Sequence, residues 1–92
     1  MKYVMTYVSP ADLDMAAVGA HYEAHRTLWD EFGARGTLLA IGPFEDPRDG
    51  AMGVFTTREA AEDFVARDPF VLNGVVESWR ITGWNEVLLD PV

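Results

Sequence analysis

The sequence predicts an α+β domain in which two helices cover one face of a four-stranded antiparallel sheet. Four short segments are rich in β-branched and aromatic residues, as strands are. Two longer segments, one between the first and second strands and one between the third and fourth, repeat apolar residues every three or four positions, as helices do. No linker or repeat interrupts the 92 residues, so we expect one domain spanning residues 1–92.

The first strand is predicted at residues 2–8, KYVMTYV, and ends before Ser9-Pro10. A helix follows from about Asp12 or Asp14 and has places to stop at Gly33 and Gly36. Its apolar and aromatic residues step by four and three positions and therefore share one stripe, which consists of Val18, Tyr22, His25, Trp29 and Phe32. This stripe is predicted to face the sheet.

The middle of the chain predicts two strands joined by a short polar loop. Residues 37–44, TLLAIGPF, form an apolar run that ends in Gly-Pro-Phe, and residues 51–56, AMGVFT, form a second one. The intervening residues, EDPRDG, are typical of a turn. The two strands are therefore expected to pair as a hairpin.

The second helix is predicted from a capping-box spacing, because Thr56 stands three residues before Glu59. The residues that should face the core are Ala60, Phe64 and Val65. The helix should end at Asp68, since a residue before proline is disfavoured in the α region.

The last strand is predicted within residues 75–89, where alternation is clear around Trp79 and Ile81. Gly83 is interpreted as a bulge or bend. The resulting order is β-α-β-β-α-β, which is the ferredoxin-like arrangement.

The first strand is apolar on both faces. Tyr3, Met5 and Tyr7 alternate with Val4 and Val8, yet two helices can cover only one face of the sheet. We therefore expect a homodimer that packs sheet face against sheet face.

Composition excludes several classes of partner. The formal charge of −8 argues against nucleic acids and anionic membranes, and the absence of cysteine removes disulfides and thiolate chemistry. The N-terminal apolar segment is too short for a signal peptide or a membrane span, so a cytoplasmic location is expected.

Both histidines lie in the segment HYEAHRTLW, at His21 and His25. His25 falls in the middle of the helix stripe, where an imidazole either forms a hydrogen bond in the core or acts as a general acid or base. A metal site is disfavoured, because the zinc-protease pattern is H-E-x-x-H whereas here Glu23 projects away from the histidine face. A serine triad is also disfavoured, since Ser9 and Ser78 lack a nucleophile-elbow context.

Asp68 is the candidate carboxylate partner of His25, because Pro69 should hold it extended at the end of the second helix. Aspartate before proline is also a common N-cap, here for the segment PFVLN. The sequence leaves both roles open.

The segments AHRTLWDEFGARGTLLAIGPF, GVFTTREAAEDFVARDPF and GVVESWRITGW together resemble the YciI-like, or YCII-related, family from His25 to Trp84. The resemblance implies a ferredoxin-like fold that dimerises as an α+β barrel, and an active site with a histidine–aspartate pair at His25 and Asp68. It also places the family's Gly-Pro loop at Gly42 and Pro43. It assigns no role to His21.

The family includes dehydrochlorinases of chlorinated hydroxyquinols, and its superfamily includes muconolactone isomerases and small monooxygenases. The resemblance thus implies a lyase or isomerase, without metal or cofactor, that acts by general acid–base chemistry on a small aromatic or lactone substrate. Its pocket is predicted to include Gly42 and Pro43 of that loop and the aromatic residues Tyr7, Tyr22, Trp29, Phe44 and Phe70. Two alternatives stay open: a module that binds a small molecule without turnover, and a subunit that only mediates assembly.

Overall fold

The computed structural model describes residues 1–91; the predicted domain extends to residue 92, which lies outside them. The strands are β1 (Lys2–Val8), β2 (Leu38–Pro43), β3 (Ala51–Phe55) and β4 (Ser78–Trp84). The α-helices are α1 (Met15–Ala34), α2 (Arg58–Arg67) and the short α3 (Pro69–Leu72), and Pro47–Asp49 forms one 3-10 turn. This order confirms the predicted ferredoxin-like fold, with α3 as an added turn of helix before β4.

The four strands form one antiparallel sheet in the order β2-β3-β1-β4. Tyr7 lies opposite Ala51 on β3 and opposite Trp79 on β4. The predicted bulge at Gly83 is wrong, because Gly83 pairs in regular register with Tyr3. The irregularity lies instead in β2, between Leu38 and Ala40.

The start of α2 is one residue later than the predicted capping box. The N-cap is Thr57, whose side-chain hydroxyl accepts the backbone N–H of Ala60 at 3.1 Å. The backbone N–H of Thr56 instead donates to the carbonyl of Thr37, which keeps Thr56 beside the end of the hairpin. Glu59 is therefore one position too early for the reciprocal bond of a capping box.

The last strand is shorter than the predicted segment 75–89. Val75 and Val76 donate their backbone N–H groups to the carbonyl of Phe70, and Glu77 donates to that of Val8. These bonds close the loop after α3, so the regular ladder starts only at Ser78.

The core lies between the helices and the inner face of the sheet, as alternation along β1 requires. Met5 and Tyr7 are buried there, together with three phenylalanines that contact one another, Phe32, Phe55 and Phe64. Ala61 and Val65 of α2 are also buried, whereas Ala60 is only partly so. Within residues 1–91, no helix is both long and apolar enough to cross a membrane.

An ion pair joins the end of α2 to α1. Arg67 Nη1 lies 3.0 Å from Glu31 Oε2, and the Arg67 guanidinium also lies over the ring of Phe32. The hydrogen bond from Arg67, with the charges of Arg67 and Arg35, holds the pKa of the Glu31 carboxyl below its ordinary value. This contact holds α2 against α1 one residue before Asp68.

Gly50 is required by the chain reversal before β3. Its φ is +102°, a conformation that side chains disfavour, and a Cβ there would collide with the carbonyl oxygen of Tyr7. We expect Gly50→Ala to lower the free energy of unfolding by about 2–4 kcal/mol. Gly19→Ala is the control: it lies in α1 with open space around it and should stabilise by about 0.5–1 kcal/mol.

Urea denaturation of the two variants measures this difference. An unfolding midpoint of Gly50→Ala equal to that of the wild-type protein would show that the reversal tolerates a side chain.

Candidate active site

Asp68 ends one helix and begins the next. Its backbone is extended, with φ −69° and ψ 119°, as the following Pro69 requires. Its Oδ1 accepts the backbone N–H of Phe70 at 3.0 Å and so caps α3. The residue is 0% exposed, and a buried carboxylate needs further hydrogen-bond donors.

His25 supplies the second donor to this carboxylate. Its Nδ1 lies 2.7 Å from Asp68 Oδ1, and the imidazole is 6% exposed on the inward face of α1. Asp68 therefore caps α3 and contacts His25 at the same time. The two roles that the sequence left open coexist in one residue.

Tyr7 supplies the third donor. Its hydroxyl donates to Asp68 Oδ2 at 2.6 Å, from the inner face of β1. Burial, the negative charge of Asp68 and the hydrogen bond to it raise the pKa of the Tyr7 phenol far above its ordinary value. The phenol therefore stays protonated and acts as a donor. Alternation along β1 placed Tyr7 on the same face as Tyr3 and Met5, but nothing in the sequence predicted this bond.

Aromatic rings hold the imidazole of His25 in place. The ring of Phe70 stacks on it, with centroids 4.0 Å apart and planes inclined by 13°. The ring of Trp29 meets it edge to face at 5.1 Å, and Phe64 does so at 6.1 Å. These contacts restrict rotation of the imidazole and keep its hydrogen bond to Asp68 aligned.

A cavity of about 290 Å³ lies against His25 and opens to solvent. Its lining is mainly apolar and consists of Tyr7, Met15, Val18, Tyr22, His25, Trp29, Ile41, Gly42, Pro43, Pro47, Ala51 and Phe70. Because the hydroxyl of Tyr7 is bonded to Asp68, the lining side chains that can offer polar atoms to a ligand are those of His25, Tyr22 and Trp29.

The structure brings most of the predicted pocket residues together. Six of the seven predicted pocket positions line the cavity, and Phe44 does not: it lies just after β2 and is about one third exposed. Of the lining residues that were not predicted, Met15 has a clear signal, since it lies three residues before Val18 and extends the helix stripe by one turn. No sequence pattern marks Pro47 and Ala51 as pocket residues, because it is the loop geometry that brings them to the cavity.

His21 is partly buried on α1 and does not line the cavity. Glu23, between the two histidines, is exposed. In the part of the chain that the structure describes, no group of three or more histidine, aspartate or glutamate side chains is arranged to hold a metal ion.

The arrangement is suited to proton transfer at one nitrogen. Because a carboxylate can only accept, the 2.7 Å contact with Asp68 Oδ1 assigns a proton to Nδ1 of His25. Nε2 is then the nitrogen that can exchange a proton with a molecule in the cavity. When Nε2 accepts a proton, the negative charge of Asp68 compensates the positive charge that the imidazole gains.

Comparisons with known proteins agree with the fold. The family model of the YCII-related domain matches residues 1–85. The structure is similar to 5-chloro-2-hydroxyhydroquinone dehydrochlorinase (TftG) from Burkholderia phenoliruptrix AC1100, solved in complex with 2,5-dihydroxybenzoquinone. That likeness has a TM-score of 0.75 and 18% identity, and covers 95% of this chain and 96% of the other.

A second solved structure, the structural-genomics protein YJCS, is similar with a TM-score of 0.51 and 13% identity, over 92% of this chain and all of the other. At these identities the two structures show the shared fold. No curated protein matches the sequence significantly.

Proposed function

Given that this chain belongs to the YCII-related domain family, we propose that it is a cofactor-independent lyase or isomerase in which His25 transfers a proton. The observation that carries the proposal is the buried His25–Asp68 pair at the wall of an open apolar cavity. A histidine that only filled space in the core would not need a cavity beside it.

The geometry of the pair supports a reaction that begins with proton transfer. Nε2 of His25 accepts a proton from the bound molecule, and Asp68 stabilises the resulting imidazolium through Nδ1. In a lyase, the electron pair left by that proton forms a new π bond while a leaving group departs with its own pair. For dehydrochlorination the leaving group is chloride, so the substrate loses one proton and one chloride and no oxidant is needed.

The cavity indicates a small cyclic substrate. Its volume of about 290 Å³ is at the lower limit of the roughly 300–1,000 Å³ that ligand pockets usually occupy. Its walls are largely aromatic and aliphatic, and Tyr22 and Trp29 meet edge to face at one side of it. Such walls bind a planar ring by stacking and edge contacts.

The test uses 5-chloro-2-hydroxyhydroquinone, the compound named for the structurally similar dehydrochlorinase. Chloride release is measured with and without the protein, with the Asp68→Asn variant as a further control. Release by the wild-type protein alone supports the proposal. The proposal fails for this substrate class if 2,5-dihydroxybenzoquinone quenches tryptophan fluorescence but no chloride is released, which would support the binding module instead.

We also propose that two copies of the chain associate through their open sheet faces, as the sequence predicted. Val4, Thr6 and Met52 point away from the helices and, with Trp84, line a shallow groove on that face. Trp84 is 49% exposed. A second copy would remove these side chains from water.

Met52→Glu is expected to separate the copies, because it would place a carboxylate in the apolar interface. Light scattering at micromolar concentration should give about 20 kDa for the wild-type protein, twice the chain mass of 10.2 kDa, and the chain mass for Met52→Glu. Leu72→Glu is the matched control, since Leu72 is exposed on α3, outside that face. A wild-type mass of one chain would contradict the dimer.

A further inference from the structure

We propose that Tyr7 is a positioning residue of the site: its hydroxyl orients the Asp68 carboxylate toward Nδ1 of His25 and limits the proton affinity of the His25–Asp68 pair. The inference rests on the proposed function, in which Nε2 of His25 accepts the proton. Tyr7 acts through Asp68 and is not itself assigned a step of the reaction.

The first argument is the geometry of the carboxylate. Its two oxygens have separate partners, with His25 and the backbone of Phe70 at Oδ1 and Tyr7 at Oδ2. Tyr7 is 3% exposed and Asp68 is 0% exposed, so water cannot easily replace the phenol as a donor. Without the Tyr7 hydroxyl, Oδ2 would keep no donor from the described residues, and the carboxylate could turn away from the imidazole.

The second argument is charge. A carboxylate that accepts three hydrogen bonds has its negative charge spread over three donors, and it attracts a proton on the neighbouring imidazole less strongly than one with two. The hydroxyl of Tyr7 thus favours a neutral His25, which is the form that can act as a base.

Few other titratable or charged groups lie close enough to His25 to change its protonation. Among the described residues, the titratable side chains that line the cavity are Tyr7, His25 and Tyr22, and Tyr22 is exposed. Within residues 1–91, no lysine, arginine or glutamate belongs to the cavity lining. The aromatic groups packed on His25, from Trp29, Phe64 and Phe70, carry no charge.

The fixed position of Tyr7 makes it suited to this role. It is held in the middle of the sheet, paired with Ala51 on one side and Trp79 on the other. Its 2.6 Å hydrogen bond to Asp68 Oδ2 therefore links the sheet to the end of α2, 61 positions later in the chain.

The experiment is a ¹⁵N NMR measurement of imidazole protonation in the ligand-free protein. The chain has two histidines, so a His21→Gln variant assigns the His25 signals. Tyr7→Phe keeps the ring and removes the hydroxyl. It should raise the ratio of imidazolium to neutral imidazole at His25 by roughly tenfold near pH 7, as expected for the loss of one hydrogen bond to a charged group.

Tyr3→Phe is the matched control, because Tyr3 lies on the same strand and the same face but makes no bond to Asp68. It should leave the His25 ratio unchanged. The proposal is overturned if the folded Tyr7→Phe protein keeps the wild-type ratio of imidazolium to neutral imidazole at His25 and the wild-type Nδ1–H tautomer. A lower melting temperature alone would then show that Tyr7 has only a packing role.

A measurement on the wild-type protein keeps the proposal testable if Tyr7→Phe does not fold. The ¹³Cζ signal of Tyr7 should shift over the same pH range as the ¹⁵N signals of His25, because Asp68 joins the two groups. A Tyr7 signal that does not respond in that range overturns the proposal. Both measurements are made without ligand, so their outcome is independent of whether chloride is released in the enzymatic test.

Discussion

His25→Ala is expected to lower the rate of chloride release from 5-chloro-2-hydroxyhydroquinone by about 10²- to 10⁴-fold, because no other side chain among the described lining residues can take the proton from the same position. This loss corresponds to about 3–5 kcal/mol of activation free energy. The fold should persist, since the core phenylalanines Phe32, Phe55 and Phe64 are untouched.

His21→Ala is the matched control for this experiment. His21 lies one helical turn earlier on α1, does not line the cavity and should change turnover little. Thermal melts accompany the kinetics, because removing the imidazole takes one donor from Asp68 and is expected to reduce the free energy of unfolding by about 1–3 kcal/mol. Wild-type turnover by a folded His25→Ala protein would contradict the catalytic role of His25.

Asp68→Ala is expected to destabilise the fold by about 3–5 kcal/mol. The substitution leaves three donors without an acceptor: the buried Tyr7 hydroxyl, the buried Nδ1 of His25 and the partly buried backbone N–H of Phe70. It also removes the N-cap of α3. Because a domain of this size has roughly 5–15 kcal/mol of net stability, the loss should be visible as a large drop in the urea midpoint.

Asp14→Ala is the control for the capping contribution alone. Asp14 caps α1 by accepting the backbone N–H of Ala16 at 2.9 Å, but it is exposed and has no buried donor to satisfy. Its loss should reduce the free energy of unfolding by only about 1 kcal/mol. Equal destabilisation by Asp14→Ala and Asp68→Ala would mean that the buried network around Asp68 contributes nothing beyond a helix cap.

Periodicity along the chain was sufficient for the architecture. Composition predicted β1 at its observed bounds, and the stripe from Val18 to Phe32 correctly turned His25 and Phe32 inward. Tyr22 of that stripe is exposed, however, and Leu28, which lies outside it, is buried. The Asp-Pro sequence predicted both the end of α2 and the cap of the next helical turn at Asp68. These features depend on the backbone and on neighbours within a few residues, so local sequence determines them.

Element ends were less predictable where tertiary contacts compete with local signals. The capping-box spacing favoured Thr56 over Thr57 as the cap. The backbone bond from Thr56 to Thr37, in the connection before β2, instead leaves Thr57 as the N-cap. The start of β4 was misjudged because Val75 and Val76 are apolar yet bond to Phe70 in the loop.

The sequence by itself determined the order of strands and helices, the inward stripe of α1 and the extended backbone at Asp68, since each depends on residues close together in the chain. Only the tertiary structure decided that Tyr7 joins the expected His25–Asp68 pair, because Asp68 lies 61 positions from Tyr7 and 43 positions from His25 along the chain. A hydrogen bond near 2.7 Å requires side chains from a strand, a helix and a helix junction to converge within a few tenths of an ångström. That convergence is set by packing of the whole core, which no local pattern encodes.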